Sequence, residues 1–267
     1  RLQVRFERFG EPAVVVPDEQ VEQAFVQTVA YWRTWSDQCT YTGRYRAEVL
    51  RSALALKLLA YAPSGAIIAA PTTSLPEEIG GERNYDYRYC WLRDAAFTVK
   101  ALLTIGFKDE ADAFAGWLLH ATNLTAPRLD PLYTLHGESH VPEKQLAHFE
   151  GYRRSRPVRI GNLASSQHQL DVYGELIDAL HFHITKRTHH VSADEAAFIR
   201  RVADHVADIW REPDGGIWEA RAEPLHYTHS KVMAWDALIH AADLAEKGMI
   251  KGDAVRWRRE ADEIARL

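Results

Sequence analysis

Cysteine is scarce in this chain of 267 residues, which contains only Cys39 and Cys90. Two cysteines are too few for a disulfide scaffold, and the first residues lack the layout of a signal peptide, so a cytoplasmic location is expected. No apolar run approaches the roughly 20 residues of a membrane span, so no membrane partner is expected. The net charge of −5 and the lack of a polybasic patch indicate that the chain has no nucleic-acid partner.

The motifs of several catalytic classes are also missing from the sequence. Thirteen histidines are present, but they form neither an HExxH arrangement nor a Cys/His quartet at zinc spacing. No metal and no other cofactor is therefore expected. Ser74 and Ser230 lack the glycine elbow that presents a nucleophilic serine, so a serine hydrolase is unsupported.

Aromatic residues, by contrast, are frequent, and one group of them adjoins paired charges. The segment Trp91-Leu92-Arg93-Asp94 places an indole beside a cation and an anion, and Tyr87 lies shortly before it. An indole face can stack on the C–H face of a pyranose, while an Arg/Asp pair can bind its hydroxyls. The alternative is an ordinary ion pair at a helix end, because Asp is favoured in a first helical turn.

A second segment, Gly215-Gly216-Ile217-Trp218-Glu219, places a carboxyl group beside an aromatic ring after a glycine turn. A carboxyl group against an apolar wall is desolvated, so its pKa rises and it can keep its proton near neutral pH as a general acid. Trp218 is then the ring that raises the pKa of Glu219, or a core residue, or both. Glu219 could instead cap backbone N–H groups. The two segments together predict a glycoside hydrolase.

Apolar residues repeat at spacings of three and four along most of the chain, which predicts an all-α fold. Residues 48–61 are apolar nearly all round and are expected to be buried on most sides. The long connections 63–89 and 122–160 are expected to carry the functional site. Alternation within residues 2–9 predicts a strand, so residues 1–16 are assigned to the tail of a preceding β domain or a linker. The predicted helices span residues 17–32, 48–61, 94–105, 109–118, 169–182, 192–209, 229–244 and 253–267.

Six ordered blocks of the sequence resemble glycoside hydrolase family fifteen, which contains glucoamylases, glucodextranases and the actinobacterial and archaeal type of trehalase. The resemblance extends from about Trp32 to the last residue. The blocks are residues 71–77, 86–94, 150–152 with 157–162, 169–175, 216–219 and 229–235.

The resemblance implies a barrel of six inner and six outer helices, often behind an N-terminal β-sandwich. It also implies hydrolysis of α-glucosidic bonds with inversion, by an acid and a base about 6.5–9.5 Å apart. Glu219 matches the general acid, and Arg93 and Asp94 match the pair that grips the non-reducing glucose. Tyr87 and Trp91 match aromatic wall residues. Trp218 and Lys231 are further candidates for substrate binding, although Lys231 can also be read as a snorkelling surface lysine.

The chain departs from the family in one respect, because no block resembling the general base is found. The predicted helices also fall well short of twelve. Residues 17–267 are therefore expected to form the first half or more of a truncated barrel, with the remainder of the catalytic domain as its partner. If the chain alone were catalytic, the base would have to be sought among carboxylates such as Glu150 or Asp171.

Two further functions stay open at this point. A phosphorolytic transferase on a related barrel needs only one catalytic carboxyl group, and a non-catalytic fragment would bind sugar without cleaving it. Among hydrolases, the substrate could be trehalose, maltose or the ends of larger glucans. The block at residues 229–231 resembles the trehalase branch more than the fungal glucoamylases.

Overall fold

A computed structural model describes residues 16–122, 125–186 and 191–267. These residues form mainly α-helices, which confirms the all-α prediction, and none of the described helices is long and apolar enough to cross a membrane. The strand predicted within residues 2–9 lies outside the described residues. The helices are α1 Asp18–Ser36, α2 Arg46–Leu59, α3 Leu92–Thr104, α4 Asp109–Thr122, α5 Asp171–Lys186, α6 Ala193–Ile209, α7 Thr228–Glu246 and α8 Ala254–Ile264.

Two short antiparallel ribbons fold the long connections back on themselves. Strand β1 (Cys90–Trp91) pairs with β2 (Leu132–Tyr133), and β3 (Lys144–Gln145) pairs with β4 (Arg159–Ile160). The first ribbon fixes Trp91 immediately before α3 begins at Leu92. The ribbons therefore bring parts of the connections predicted to carry the site to the start of that helix.

Local sequence signals account for the helix bounds where they are strong. At the start of α6, the Ser192 hydroxyl accepts a hydrogen bond from the Glu195 amide (3.2 Å). The Glu195 carboxylate in turn accepts from the Ser192 amide (2.8 Å), which completes a capping box. The apolar residues that follow at helical spacing, including Phe198 and Val202, are buried in the main core.

Helices α3, α5 and α7 pack together at the centre of the described structure. The backbones of α5 and α7 approach so closely that a Cβ on Gly174 would lie 2.1 Å from the Met233 carbonyl oxygen. Asp214 joins the starts of these two helices, because its Oδ2 accepts from the Leu170 amide (3.0 Å) and from the Ser230 hydroxyl (2.8 Å). The N-terminal ends of the central helices therefore meet, and the long connections meet there too.

Helix α2 corrects one prediction, since it was expected to be buried on most sides. Only Ala53 of this helix is buried, and Leu58 is 66% exposed. One side of α2 packs on a small cluster in which the rings of Trp35 and Phe107 stack 3.9 Å apart. Its other apolar side chains have no comparable cover within the part of the chain that the structure describes.

Candidate active site

A cavity of about 860 Å³ opens where the long connections meet the N-terminal end of α3. Its wall is built from residues 69–94, from residues 162–167 and from the segment 217–221 that follows α6. Six of the seven predicted site residues line this one cavity: Tyr87, Trp91, Arg93, Asp94, Trp218 and Glu219. Residues that are up to 132 positions apart in the chain thus share one cavity.

Glu219 occupies an unusual backbone conformation at this cavity. Its φ of 52° lies in the left-handed region, which a residue with a side chain adopts only when its surroundings hold it there. The Trp91 indole Nε1 donates to Glu219 Oε1 (2.7 Å), and Arg93 Nη2 lies 3.5 Å from the same oxygen. Gln167 Nε2 donates to the backbone carbonyls of Glu219 (3.3 Å) and Ala220 (3.2 Å). Both the side chain and the main chain of Glu219 are therefore fixed.

The surroundings raise the pKa of the Glu219 carboxyl group above its ordinary value. Burial is the main cause, and the negative charge of Asp94 adds to it. The positive charge of Arg93 and the hydrogen bond from Trp91 act in the opposite direction without cancelling the effect of burial. A carboxyl group in this state keeps its proton to higher pH, which is what a general acid requires.

The burial of the two tryptophans near Glu219 differs from the sequence interpretation, in which Trp218 was the ring beside the carboxyl group and Trp91 an aromatic surface for the sugar. Trp218 is 89% exposed, so it is not a core residue and contributes little to the desolvation of Glu219. Trp91 is only 2% exposed, so neither face of its indole is free to stack on a sugar. Trp91 is instead the buried aromatic residue that contacts and orients Glu219. Among the aromatic residues predicted to bind sugar, Tyr87 and Trp218 keep accessible surface at the cavity.

Arg93 connects the two predicted halves of the site. Its Nη1 donates to the Ile217 carbonyl (3.2 Å), and its Nη2 lies 3.2 Å from Asp94 Oδ2 as well as near Glu219. The side chain of Asp94 is more open than that of Arg93 and faces the cavity. The arrangement presents a cation and an anion side by side, next to a carboxyl group whose pKa is raised.

Two buried carboxyl groups, Asp171 and Glu175, lie behind Arg93. Asp171 and Glu175 are 0% and 2% exposed, and none of their four carboxylate oxygens has a hydrogen-bond partner among the described residues. Both interact electrostatically with Arg93. The sequence signal was their spacing of four on α5, which places them on one helix face. Asp171 was considered in the sequence as a possible general base, whereas Glu175 was not singled out beyond its place in the block of residues 169–175.

Glu175 gives the protein a testable pH dependence. Burial, together with the adjacent Asp171, raises the pKa of Glu175 to about 8 from an ordinary 4.5. The folded state therefore holds a proton that the unfolded state releases, so this group lowers stability as pH rises from about 4.5 to 8. Glu175→Gln removes that dependence and is expected to raise Tm above wild type by about 3 °C or more at pH 8.5.

Melting curves of both proteins from pH 5 to pH 8.5 check this expectation. The Tm difference between variant and wild type should grow steadily with pH. Glu150→Gln, which removes an exposed carboxylate, should leave the Tm difference constant across the range. A constant difference for Glu175→Gln as well would contradict the assignment of a protonated Glu175.

Lys231 is the predicted site residue that the structure places elsewhere. Its ammonium group donates to the carbonyls of Trp210 and Glu212, both at 2.6 Å, just beyond the C-terminal end of α6. These carbonyls lack partners within the helix and carry partial negative charge, so a lysine stabilises them. Lys231 lines a separate cavity of about 770 Å³ with Tyr227 and Trp235. The structure thus places Lys231 away from the cavity that the other six predicted site residues line, and its role in substrate binding stays a prediction.

One group of side chains has the spacing of a metal site. Ligand atoms of Asp178, Asp236 and His240 lie within 4.8 Å of one another on α5 and α7. The Lys100 ammonium already bonds Asp178, and the hydrogen bonds that His240 donates to Asp178 and Asp236 raise the pKa of His240 to about 9. Two protein cations thus balance the two carboxylates, and a protonated imidazole is no metal ligand. The group is an ion-pair network between α3, α5 and α7.

Comparison with known proteins shows which family model and which proteins the chain resembles. A family model described as Glycosyl hydrolases family 15 matches residues 43–267. A trehalase of Thermoplasma acidophilum is 42% identical over 238 residues, which are 89% of this chain and 40% of that protein. A trehalase of Mycobacterium tuberculosis is 43% identical over 251 residues, which are 92% of this chain and 37% of that protein. The chain thus spans well under half the length of these relatives.

Solved structures share the architecture at lower identity. A glycosidase variant in complex with glucose superposes with a TM-score of 0.62 at 18% identity, over 82% of this chain and 55% of that one. A glucoamylase from Saccharomycopsis fibuligera superposes with a TM-score of 0.54 at 18% identity, over 87% of this chain and 48% of that one. Identity at this level shows the fold alone, which is that of the glucoamylase-type helical barrels.

Proposed function

This chain belongs to glycosyl hydrolases family 15, and on that premise we propose that it carries the acid side of an inverting α-glucosidase site, with Glu219 as the general acid. The single observation that carries the proposal is the environment of Glu219. Its carboxyl group is buried in a cavity, oriented by the Trp91 indole at 2.7 Å, and adjoins the Arg93–Asp94 pair. These are the groups that protonation of a glycosidic oxygen and binding of a glucose residue require.

In the proposed reaction, Arg93 and Asp94 bind hydroxyl groups of the glucose on the non-reducing side of the scissile bond. Glu219 then gives its proton to the glycosidic oxygen as the bond from that oxygen to the anomeric carbon breaks. A water molecule, deprotonated by a second carboxylate, attacks the anomeric carbon from the opposite face and inverts its configuration. Tyr87 and Trp218 offer aromatic surface to the sugars at the cavity.

The second carboxylate is not assigned to the described residues of this chain. Asp171 is fully buried, so no water reaches it, and Glu150 does not line the cavity. The proposal therefore places the base in a further segment of the catalytic domain, which would complete the barrel and face Glu219. The separation expected for an inverting pair, about 6.5–9.5 Å, leaves room for the attacking water.

Trehalose is the proposed substrate. The relatives with 42–43% identity are trehalases, whereas the glucoamylase is related at 18%. The test is to express the protein from its complete gene and to supply trehalose or maltose in the presence of phosphate. We expect glucose from trehalose and no glucose 1-phosphate. Formation of glucose 1-phosphate would support a phosphorolytic transferase, and binding without cleavage would support a sugar-binding role.

A further inference from the structure

The segment that carries Glu219 is held by hydrogen bonds in its first part and is exposed to solvent in its second part. Residues 214–225, here called the acid loop, begin and end where Asp214 and Leu225 exchange backbone hydrogen bonds (2.9 and 3.0 Å). Arg93 and Gln167 hold the first part of the acid loop through its carbonyls. From Arg221 onward its residues are exposed to solvent. The contacts that fix Glu219 itself, from Trp91, Arg93 and Gln167, reach no further along the acid loop than Ala220.

An ion pair attaches the exposed part of the acid loop to the rest of the site. Arg221 lies two residues after Glu219, and its guanidinium forms a two-pronged contact with Glu143, with Nη2 2.6 Å from Oε2 and Nη1 3.2 Å from Oε1. Paired N–H donors on one carboxylate fix direction as well as distance. Of the exposed stretch 221–226, Arg221 is the residue that lines the cavity.

Glu143 is itself firmly held, which makes it a suitable anchor. Its side chain is 11% exposed, and Arg159 Nε lies 3.1 Å from its Oε1. The Leu163 amide donates to its other oxygen (3.3 Å). Arg159 is fixed in turn by bonds from its Nη1 to two backbone carbonyls of the neighbouring loop, at residues 82 and 84. Burial acts to raise the pKa of Glu143, but the hydrogen bond and charge of Arg221, the Leu163 amide and the charge of Arg159 together lower it below its ordinary value.

We infer that Glu143 and Arg221 form a positioning pair that holds the acid loop and thereby the catalytic acid. The inference rests on the proposed role of Glu219. Glu143 does not line the cavity, so its replacement acts on catalysis indirectly, and Arg221→Gln isolates the path through the acid loop because it leaves the contacts of Glu143 with Arg159 and Leu163 in place. A displacement of about 1 Å at a catalytic group can lower a rate about a hundredfold, so a small relaxation of the loop has a large consequence.

The test compares two substrates that differ in their need for the acid. Trehalose requires protonation of its leaving oxygen, whereas the fluoride of α-glucosyl fluoride departs with little help from a proton. Glu143→Gln and Arg221→Gln are expected to lower kcat on trehalose by about ten- to a hundredfold, part of the 10²–10⁴ that a positioned acid contributes. KM for trehalose and kcat on the fluoride should stay within about threefold of wild type.

A matched control is available between α7 and α8. Arg258 forms an equally two-pronged pair with Glu246 (3.0 and 2.8 Å) on an exposed surface. Glu246→Gln should change the kinetics with neither substrate.

Hydrogen exchange gives a second readout. The amides of residues 217–224 should exchange faster in both Glu143→Gln and Arg221→Gln than in wild type.

The possible outcomes distinguish a failure of the positioning role from a failure of the proposed function. Equal loss on both substrates, or no loss on either, would overturn the positioning role while wild type still cleaves trehalose. A wild-type protein that cleaves neither substrate would instead defeat the proposed function. If Glu143→Gln fails to fold because Arg159 loses its carboxylate partner, Arg221→Gln decides, since it leaves Glu143 paired with Arg159.

Discussion

Glu219→Gln is expected to lower kcat on trehalose by about 10²–10⁴-fold while leaving KM nearly unchanged. The amide oxygen of glutamine can still accept the hydrogen bond that Trp91 donates to Glu219. It therefore fills the same space and keeps the cavity intact, but it has no acidic proton to give. The loss should be confined to the step that protonates the glycosidic oxygen.

The pH profile provides an independent check of the same assignment. The pKa of Glu219 is raised by burial, so the protonated acid persists to higher pH and its loss produces the alkaline limb of the rate profile. That limb should disappear in Glu219→Gln. Glu223→Gln, which alters an exposed carboxylate four residues away, is the control and should keep both the rate and the limb. Near-normal kcat in Glu219→Gln would refute the acid role.

Asp94→Asn is expected to lower kcat/KM by about ten- to a hundredfold. Hydrogen bonds from hydroxyl groups to a charged acceptor contribute about 1.5–3 kcal/mol each, and more if they strengthen in the transition state. Asp94 lies on the cavity wall, 3.2 Å from the Arg93 guanidinium, where an asparagine fits without its charge. Kinetics with trehalose and with α-glucosyl fluoride should show the same loss, because both substrates present the same glucose.

Asp94→Asn should also move the alkaline limb. The negative charge of Asp94 helps to raise the pKa of Glu219, so its removal lowers that pKa and shifts the limb to lower pH. A structure with bound glucose lying away from both Arg93 and Asp94 would contradict the binding role. An unchanged limb together with unchanged kcat/KM would contradict it as well.

The parts of the account that the sequence predicted well depend on short-range patterns. Apolar spacing of three and four located the helices, and the Ser192 capping box marked the start of α6 at the correct residue. The convergence of the Arg93–Asp94 segment with Glu219 was predicted from family resemblance, and the structure places these residues in one cavity. Local signals suffice for the helices because the deciding contacts lie within one or two helical turns, whereas the convergence of distant segments needed the family resemblance.

The features that the sequence did not predict are contacts between distant segments. Trp218 precedes Glu219 in sequence, yet the left-handed turn at Glu219 leaves its ring in solvent, while Trp91 reaches the carboxyl group from 128 residues away. Lys231 binds the end of α6, which nothing near it in sequence indicates. The burial of Glu175 depends on how α5 packs against α3 and α7. Spacing on one helix shows that two residues share a face, but not what that face contacts.

The most direct test of the central claim is to identify the anomers of glucose that form first from trehalose. Proton NMR can follow the products of the protein expressed from its complete gene before mutarotation equilibrates them. An inverting hydrolase that uses Glu219 as its acid releases the leaving glucose as the α anomer and the attacked glucose as the β anomer, in equal amounts. The account predicts this one-to-one ratio in wild type and much slower release of both anomers with Glu219→Gln. Initial release of α-glucose alone, or of glucose 1-phosphate, would contradict it.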